Sequence, residues 1–352
     1  MSAFIKRNIK RAKLAYLWVN RILYAKGHFK VSPFTKLFLN VSGGYLADQS
    51  VIYDFKHNDR HEYLSEFDWY RSRWINEPFD QMLNNKIICA EVLGHYVHVP
   101  AMLLMKNKGR IVSLDPDAAD GWLSIESVSD ALDKHGELFM KPLAAGKGKG
   151  VHRLEKIDGM PAIDGKPMDT QAFLAALDAE DGWFISECAH QHPFLDGIYD
   201  KTTNTIRLIT LRDPDSGSYK VFFAVQRIGT KATIPVDNGS RGGLVSCIDL
   251  ETGELSEARS LHSMEVHEVH PDSGAPIKGA KIPGWADVKE QMLGLARKFP
   301  FINFIAWDIL LTEDGISIIE ANTSSGVNII QLWGPQRNGE LGDFYRFHGV
   351  IK

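Results

Sequence analysis

The stretch AWDILLTEDGISIIEAN, residues 306–322, reads as two apolar strands joined by a tight turn, yet each strand carries a carboxylate. Asp308 lies between Trp307 and Ile309, and Glu320 between Ile319 and Ala321. TEDG is a strong turn signal, and a three-residue loop of Glu313, Asp314 and Gly315 puts Gly315 where φ must be positive. In that register Leu310 faces Ile318 and Asp308 faces Glu320, with Asn322 two residues on and on the same face. Opposed side chains stand about 5 Å apart at Cβ and like charges there repel, so a positive group must lie between the acids or one must be protonated. A two-residue Asp314-Gly315 loop instead shifts the register by one and sends the acids to opposite faces. Two carboxylates and an amide oxygen on one face form a hard-oxygen set that suits Mg²⁺ when phosphate and water complete its octahedron. The plainer reading is an edge hairpin with both acids in solvent.

At 352 residues, with 44% apolar and 24% charged side chains, the chain is long enough for two domains and reads as a soluble globular protein. The net charge of −4 hides an asymmetry. Nine basic residues (Lys6, Arg7, Lys10, Arg11, Lys13, Arg21, Lys26, Lys30, Lys36) precede Asp48, the first acid, so 31 of the 40 basic residues and all 44 acidic ones fall in the remainder. Cys89, Cys188 and Cys247 have no CxxC spacing and cannot all pair, which suits a reducing cytoplasm and indicates no cysteine metal site. The apolar run Leu14 to Val19 is too short for a signal sequence or a membrane span.

Residues 4–25 place Ile5, Ile9, Ala12, Val19 and Ile22 at helical spacing among lysines and arginines. This basic amphipathic helix suits an anionic membrane face, or the protein's own body with its charged side in water. The aromatic-rich stretch 45–80 yields no clear assignment. Residues 81–93 read as one helix, HVPAMLLM as strand or loop, and ELFMK (137), WFISE (183), NTIRLITL (204) and YKVFFAVQ (219) as strands. Residues 285–299 carry Trp285, Val288, Met292, Leu295 and Phe299 on one helical stripe. Strands and helices without strict alternation predict an α+β fold.

FMKPLAAGKGKGV, residues 139–151, is a strand, a loop with Gly146, Gly148 and Gly150, and a second strand. Glycines let backbone N–H groups approach anionic oxygens while Lys147 and Lys149 add charge, so the segment suits a flap over phosphates. It neither ends in GK[ST] nor opens a helix, so it is no Walker A loop, and a basic surface hairpin is the bland alternative.

In combination these segments are more specific. The KP strand with its glycine-rich flap, WFISE, the arginine-bearing NTIRLITL and the late D…EAN hairpin resemble, in that order, the ATP-grasp superfamily over residues 81–335. NTIRLITL, DNGSRGG, HPDSG and EANTSSGVN resemble sugar-transfer-associated ATP-grasp proteins, and EANTSSG is also similar to the metal-binding segment of D-alanine-D-alanine ligases. The resemblance implies ATP held between two α+β subdomains. It divides the chain into an N-terminal helical, basic extension (1–80), a preceding segment (81–125) and an ATP-grasp domain over 126–345, whose subdomains cover 126–190 and 191–345. It implies ATP with Mg²⁺ or Mn²⁺ on Asp308, Glu320 and Asn322. Lys141 and Lys86 are expected at the nucleotide phosphates, together with the flap Gly146, Lys147, Gly148, Lys149 and Gly150. Glu187 and Cys188 are expected at the adenine edge, and Asn204 near ribose and phosphate.

Arg207, Arg227 and Arg241 are candidates to clamp phosphate or a developing oxyanion, since guanidinium forks suit both. D-alanine-D-alanine ligases carry an arginine two residues before the metal aspartate; here that position is Ala306. His190, His192, His262, His267 and His270 lack the HExxH spacing of a zinc site, and His270 is kept as a candidate substrate contact. The expected activity is an ATP-dependent carboxylate–amine ligase working through an acyl phosphate on small-molecule carboxylates and amines rather than nucleic acid. It would serve cell-surface polysaccharide assembly, in the cytoplasm or at the inner membrane face. An ATP-grasp kinase and a non-catalytic nucleotide-binding module are the alternatives. No GxGxxG opens a helix after a strand, which disfavours a dinucleotide oxidoreductase.

Overall fold

The apolar periodicity over residues 81–93 resolves into two helices rather than one. In the computed structural model, which describes residues 3–144 and 150–352, Asn85 is extended and its Oδ1 accepts from Ile87 N and Ile88 N, each at 3.1 Å. An asparagine that satisfies the first amides of a following helix ends the preceding one. The helices of this region are α1 (Ala3–Trp18), α2 (Pro33–Gly43), α3 (Gln49–Ile52), α4 (Glu66–Ser72), α5 (Asp80–Asn84) and α6 (Lys86–Gly94). α1 runs into a π turn at Val19–Leu23, where Ile22 is the first residue of its stripe to be fully buried. α2 has both ends defined by sequence: Ser32 Oγ accepts from Thr35 N at 3.1 Å, Pro33 opens the first turn and Gly44 closes it at φ 75°. The unassigned aromatic stretch forms a small core of its own, in which Tyr45, Tyr53 and Tyr63 gather with Leu39 and Tyr53 stacks on Tyr63 at 4.6 Å.

Among the described residues the strands form two seven-stranded sheets, and every pairing between them is antiparallel. The first has the order β2-β1-β7-β3-β4-β5-β6. Its strands are β1 (Met102–Asn107), β2 (Arg110–Ser113), β3 (Glu137–Pro142), β4 (His152–Ile157), β5 (Met160–Ile163), β6 (Lys166–Pro167) and β7 (Trp183–Glu187). Because β1 pairs with β7, residues 102–113, read from sequence as part of a preceding segment, lie in this same sheet. α7 (Glu126–His135) and α8 (Thr170–Asp178) bury Val128, Leu132, Phe173 and Leu177 against Leu138, Met140 and Ile185.

After α9 (Pro193–Ile198) comes the second sheet, in the order β12-β11-β10-β9-β8-β13-β14. It comprises β8 (Ile206–Arg212), β9 (Tyr219–Ile228), β10 (Leu244–Ile248), β11 (Leu255–Ser260), β12 (Val266–His267), β13 (Phe304–Thr312) and β14 (Gly315–Asn322). α10 (Trp285–Arg297) lays its predicted stripe on one face, where Ile206, Leu208, Ile305, Trp307 and Ile309 are buried. α11 (Val327–Gln331) and α12 (Glu340–Phe347) cover Ile209, Leu211, Phe304 and Ala306 on the other. Burial on both faces explains why β8 and β13 read as near-continuous apolar runs.

The N-terminal helices are stitched to this second sheet. Gln331 accepts from Leu64 N at 2.7 Å and donates to Leu64 O at 2.9 Å, while Asn76 donates to Phe304 O at 2.6 Å and accepts from Phe304 N at 3.1 Å. Both side chains are buried, so either truncation leaves backbone groups dry and unpaired. Asn76→Ala and Gln331→Ala are each expected to lower unfolding free energy by about 2 kcal/mol, read as a lower urea midpoint with unchanged slope.

Candidate functional site

The β13–β14 hairpin closes one residue tighter than its sequence suggests. Thr312 pairs with Gly315, Leu311 with Ile316, Leu310 with Ser317 and Ile309 with Ile318, so the loop is Glu313 and Asp314, and Leu310 faces Ser317 rather than Ile318. Left uncorrected, this register sends Glu320 to the face covered by α10, with Ile316 and Ile318. A β-bulge prevents that: Ile319 has no partner, and beyond it Asp308 faces Glu320 and Ala306 faces Asn322. Ala321 takes the place in the α10 core that Glu320 would otherwise hold. Gly315 has the expected positive φ, 126°.

The positive groups demanded by the acidic pair are guanidinium groups. Arg207 on β8 stands directly opposite Asp308. Its Nε donates to Oδ1 at 2.5 Å and its second terminal nitrogen to Oδ2 at 3.0 Å, and Arg227 on β9 reaches Oδ2 at 2.9 Å. Arg227 also pairs with buried Asp237, which accepts from Thr205 N and Oγ1 at 2.6 Å each. Arg207 is further held by Ser325 Oγ at 3.2 Å, in the loop that follows β14. Burial by itself pushes the Asp308 carboxyl up, but Arg207 and Arg227 more than reverse this and hold it below the usual carboxylate range. Burial likewise works against the charge on Arg227, and Asp237 and Asp308 outweigh it, leaving its pKa raised.

Glu320 lives in the opposite regime. Burial first, then the negative charge of Asp308, push its carboxyl above its ordinary value against the pull of Lys86, Arg207 and Arg227. Among the described residues no hydrogen bond or ion pair takes up the Glu320 carboxylate or the Asn322 amide. Lys141, on β3 of the first sheet, is pushed down to about 8 by burial and by Lys86, with Cys188 and Glu320 acting the other way. Lys86 opens α6 and donates to Pro142 O at 3.3 Å, which ties the helix under β14 to the first sheet. Lys86, Lys141 and Glu320 therefore share one electrostatic environment although they come from three elements, and the two sheets meet there.

Other expected residues fall elsewhere. Glu187 and Cys188 lie at the end of β7, with Glu187 3.2 Å from His135 Nδ1 and the Cys188 thiol pushed up to about 12 by burial and by Glu137. Asn204 is fully buried, its Oδ1 accepts from Thr202 Oγ1 at 2.7 Å and Gly229 N at 2.9 Å, and its amide donates to Tyr199 O at 2.6 Å, so it braces a turn. His270 is likewise a core residue, donating to Gly229 O at 2.8 Å and stacking on Tyr199. Among the described residues no group of three or more His, Cys, Asp or Glu side chains is placed to hold a metal. Arg241 is exposed at the end of a 3₁₀ turn, Gly239–Arg241, and it is Asp237 of the DNGSRGG segment that pairs with Arg227. Gly146, Lys147, Gly148 and Lys149 lie outside the described residues; Gly150 has φ 69°. Sequence reading missed Asp237 and Ser325, although both stand in segments it had singled out.

Residues 69–337 match the family described as sugar-transfer associated ATP-grasp. No curated protein sequence matches the chain. Among solved structures, the ATP-grasp ligase PsnB complexed with minimal precursor, Mg and ADP is 15% identical with a TM-score of 0.38 over 71% of this chain and 53% of its own. The D-alanine-D-alanine ligase from Coxiella burnetii is 14% identical with a TM-score of 0.36, over 70% and 49%. The D-alanyl-alanine synthetase A from Vibrio cholerae is 13% identical with a TM-score of 0.43, over 76% and 64%. The chain thus spans half to two thirds of the length of these proteins.

The electrostatics set the sign of three substitutions. Asp308→Asn takes from Arg207 its carboxylate partner and from Arg227 one of its two, both in a partly buried setting, and is expected to cost about 3 kcal/mol at pH 7. Because Asp308 has a lowered pKa, wild-type stability from this group is present above its unfolded pKa and lost as pH falls through the folded one, so the deficit shrinks in acid. Glu320→Gln should stabilise at neutral pH and show no gain below the unfolded pKa, because a raised acid costs stability only where it must ionise. Lys141→Met should stabilise by an amount on the order of 2 kcal/mol at pH 7, a gain that fades as pH rises from about 8 toward 10.5 and the wild-type lysine loses its charge. Urea titrations across pH check all three.

Proposed function

Because this chain belongs to the sugar-transfer associated ATP-grasp family and has its α+β fold, we propose that it is an ATP-dependent carboxylate–amine ligase. The observation that carries the reading is the charge balance where the sheets meet. Arg207 and Arg227 are matched by Asp308 and Asp237, and beside them Lys141, whose charge is disfavoured by burial and by Lys86, shares its surroundings with the raised Glu320 carboxyl. An anion entering there would relieve the repulsion between the two lysines, which suits a polyanion such as a triphosphate.

The side chains present fit a hard divalent cation. Glu320 and Asn322 offer uncommitted oxygens, and Asp308 accepts three N–H bonds, which leaves one lone-pair position of about four. Asp308, Glu320 and Asn322 would hold Mg²⁺, which supplies neutralisation of phosphate charge when bound. Lys141 and Lys86 bind phosphate oxygens, and Asp308 keeps the Arg207 and Arg227 forks aimed at the same face, where they orient the transferred group and stabilise its developing charge. Arg207, arriving from the neighbouring strand, fills the role left open by Ala306.

In the reaction a carboxylate oxygen of the substrate attacks the γ-phosphorus and ADP leaves, giving an acyl phosphate. The amine then attacks the acyl carbon, inorganic phosphate departs and the amine loses a proton, which leaves an amide. No protein nucleophile takes part, in keeping with a Cys188 thiol held near 12. The family's association with sugar transfer is in keeping with a role in cell-surface polysaccharide assembly, for which we propose an acidic sugar as the carboxylate and an amino acid as the amine.

The test is incubation with ATP, Mg²⁺ and a panel of ¹⁸O-labelled carboxylates, with and without amines. Label in inorganic phosphate together with amide is the expected result; a stable phosphorylated product formed without amine would make the protein a kinase. A second outcome concerns affinity. Bound phosphates favour the charged form of Lys141, so ATP should bind with proton uptake near pH 8 and progressively more weakly above it. Calorimetry in buffers of different ionisation enthalpy measures that uptake, and Lys141→Met should abolish it.

A further inference from the structure

The N-terminal helices hold a surface that nucleotide chemistry does not use. On α2, Phe34, Leu37, Phe38 and Val41 follow the spacing i, i+3, i+4, i+7 and are 88%, 52%, 57% and 66% exposed. The opposite side of the same helix already packs inward through Leu39 and Asn40. α2 is thus apolar both toward the protein and toward its surroundings. A continuous outward stripe of this kind marks a binding face rather than a scattering of surface side chains.

The charge around the stripe identifies the occupant. Lys26 and Lys30 are exposed in the segment leading into α2, and Arg60 lies 4.5 Å above the Phe38 ring while donating to Ser42 Oγ at 2.8 Å. Arg7, Arg11 and Lys13 of α1 are exposed as well, and Phe4 and Tyr16 on that helix are 62% and 66% exposed. Asp48, the first acid of the chain, is buried and spends its carboxylate on His28 N and Phe29 N, so it presents no charge to the outside. Lys36 turns inward to donate to Ala25 O at 2.7 Å. A second copy docked on this stripe would bring basic surface against basic surface. An anionic bilayer answers both features, its headgroups meeting the cations and its acyl boundary taking the rings.

We infer that the outer face of α2 docks on anionic lipid membranes, with Phe34, Leu37, Phe38 and Val41 entering the acyl boundary. The sequence places such contact on residues 4–25; α2 adds a second apolar face to the exposed Phe4, Ile5, Ile9 and Tyr16 of α1. Among the described residues no helix is long and apolar enough to cross a membrane, so the contact is peripheral.

The test is sedimentation of the full chain with vesicles of phosphatidylcholine alone or with about 30% phosphatidylglycerol, across salt concentrations. Binding is expected only to the anionic vesicles and is expected to weaken as salt rises. Phe34→Ser with Phe38→Ser should lower partitioning more than tenfold, and Lys26→Gln and Lys30→Gln about fivefold each, with unchanged melting temperatures. Equal binding to neutral vesicles, or undiminished binding by the serine variant, would overturn the inference. So would lipid-free dimerisation that the serine variant abolishes, since that would assign the face to a second copy.

Discussion

A single buried carboxylate organises the centre of this molecule. Asp308 joins three adjacent strands by accepting from Arg207 on β8 and Arg227 on β9 while itself standing on β13, and through those arginines it also ties in Asp237 and the Ser325 loop. Taking such charges out of water is costly, and the cost is met only because fork geometry and further hydrogen bonds satisfy nearly every donor and acceptor. The same acid that settles two arginines unsettles its other neighbour: Asp308 raises the Glu320 carboxyl, and Glu320 stands near two lysines of which one is already driven toward neutrality. Stability is thus concentrated on one side of the acidic pair and electrostatic tension on the other. Adjacent carboxylates with pKa values driven apart are what a site of chemistry requires.

The bulge at Ile319 makes this arrangement possible. A two-residue loop is the tighter closure for the hairpin, and it buries Ile316 and Ile318 correctly under α10, but it would carry Glu320 into the same core. One extra residue in β14 lets the apolar half of the hairpin and its acidic half each obey its own requirement. Both alternative registers that the sequence allows are therefore present, one on each side of the bulge.

Residues 45–80 act as a brace rather than as a separate unit. Their aromatic cluster stacks internally, yet Asn76, Leu64 and Trp69 are bonded to β13, to α11 and to Ser324, next to the Arg207-bound Ser325. Through these bonds the surface that carries α2 is joined mechanically to the sheet that carries the acids.

Periodicity and residue type by themselves determined the α+β class, the main strands and the α10 stripe, because each of these follows from local spacing and from which side chains tolerate burial; for Asp308 and Glu320 they left two registers open. The kinship carried by the KP, NTIRLITL and EANTSSG segments was legible for the same reason: short stretches of special chemistry leave a local imprint. The break at Asn85 is local, a capping bond competing with helix continuation that apolar periodicity does not register, whereas the bulge depends on a core contributed by α10. Tertiary structure decided the rest. The turning of Asn204 and His270 into braces depends on backbone groups of Tyr199 and Gly229, some distance along the chain. Whether a charged side chain is matched, strained or free for a ligand is set by partners a hundred residues away, as between Arg207 and Asp308, and no local pattern records them.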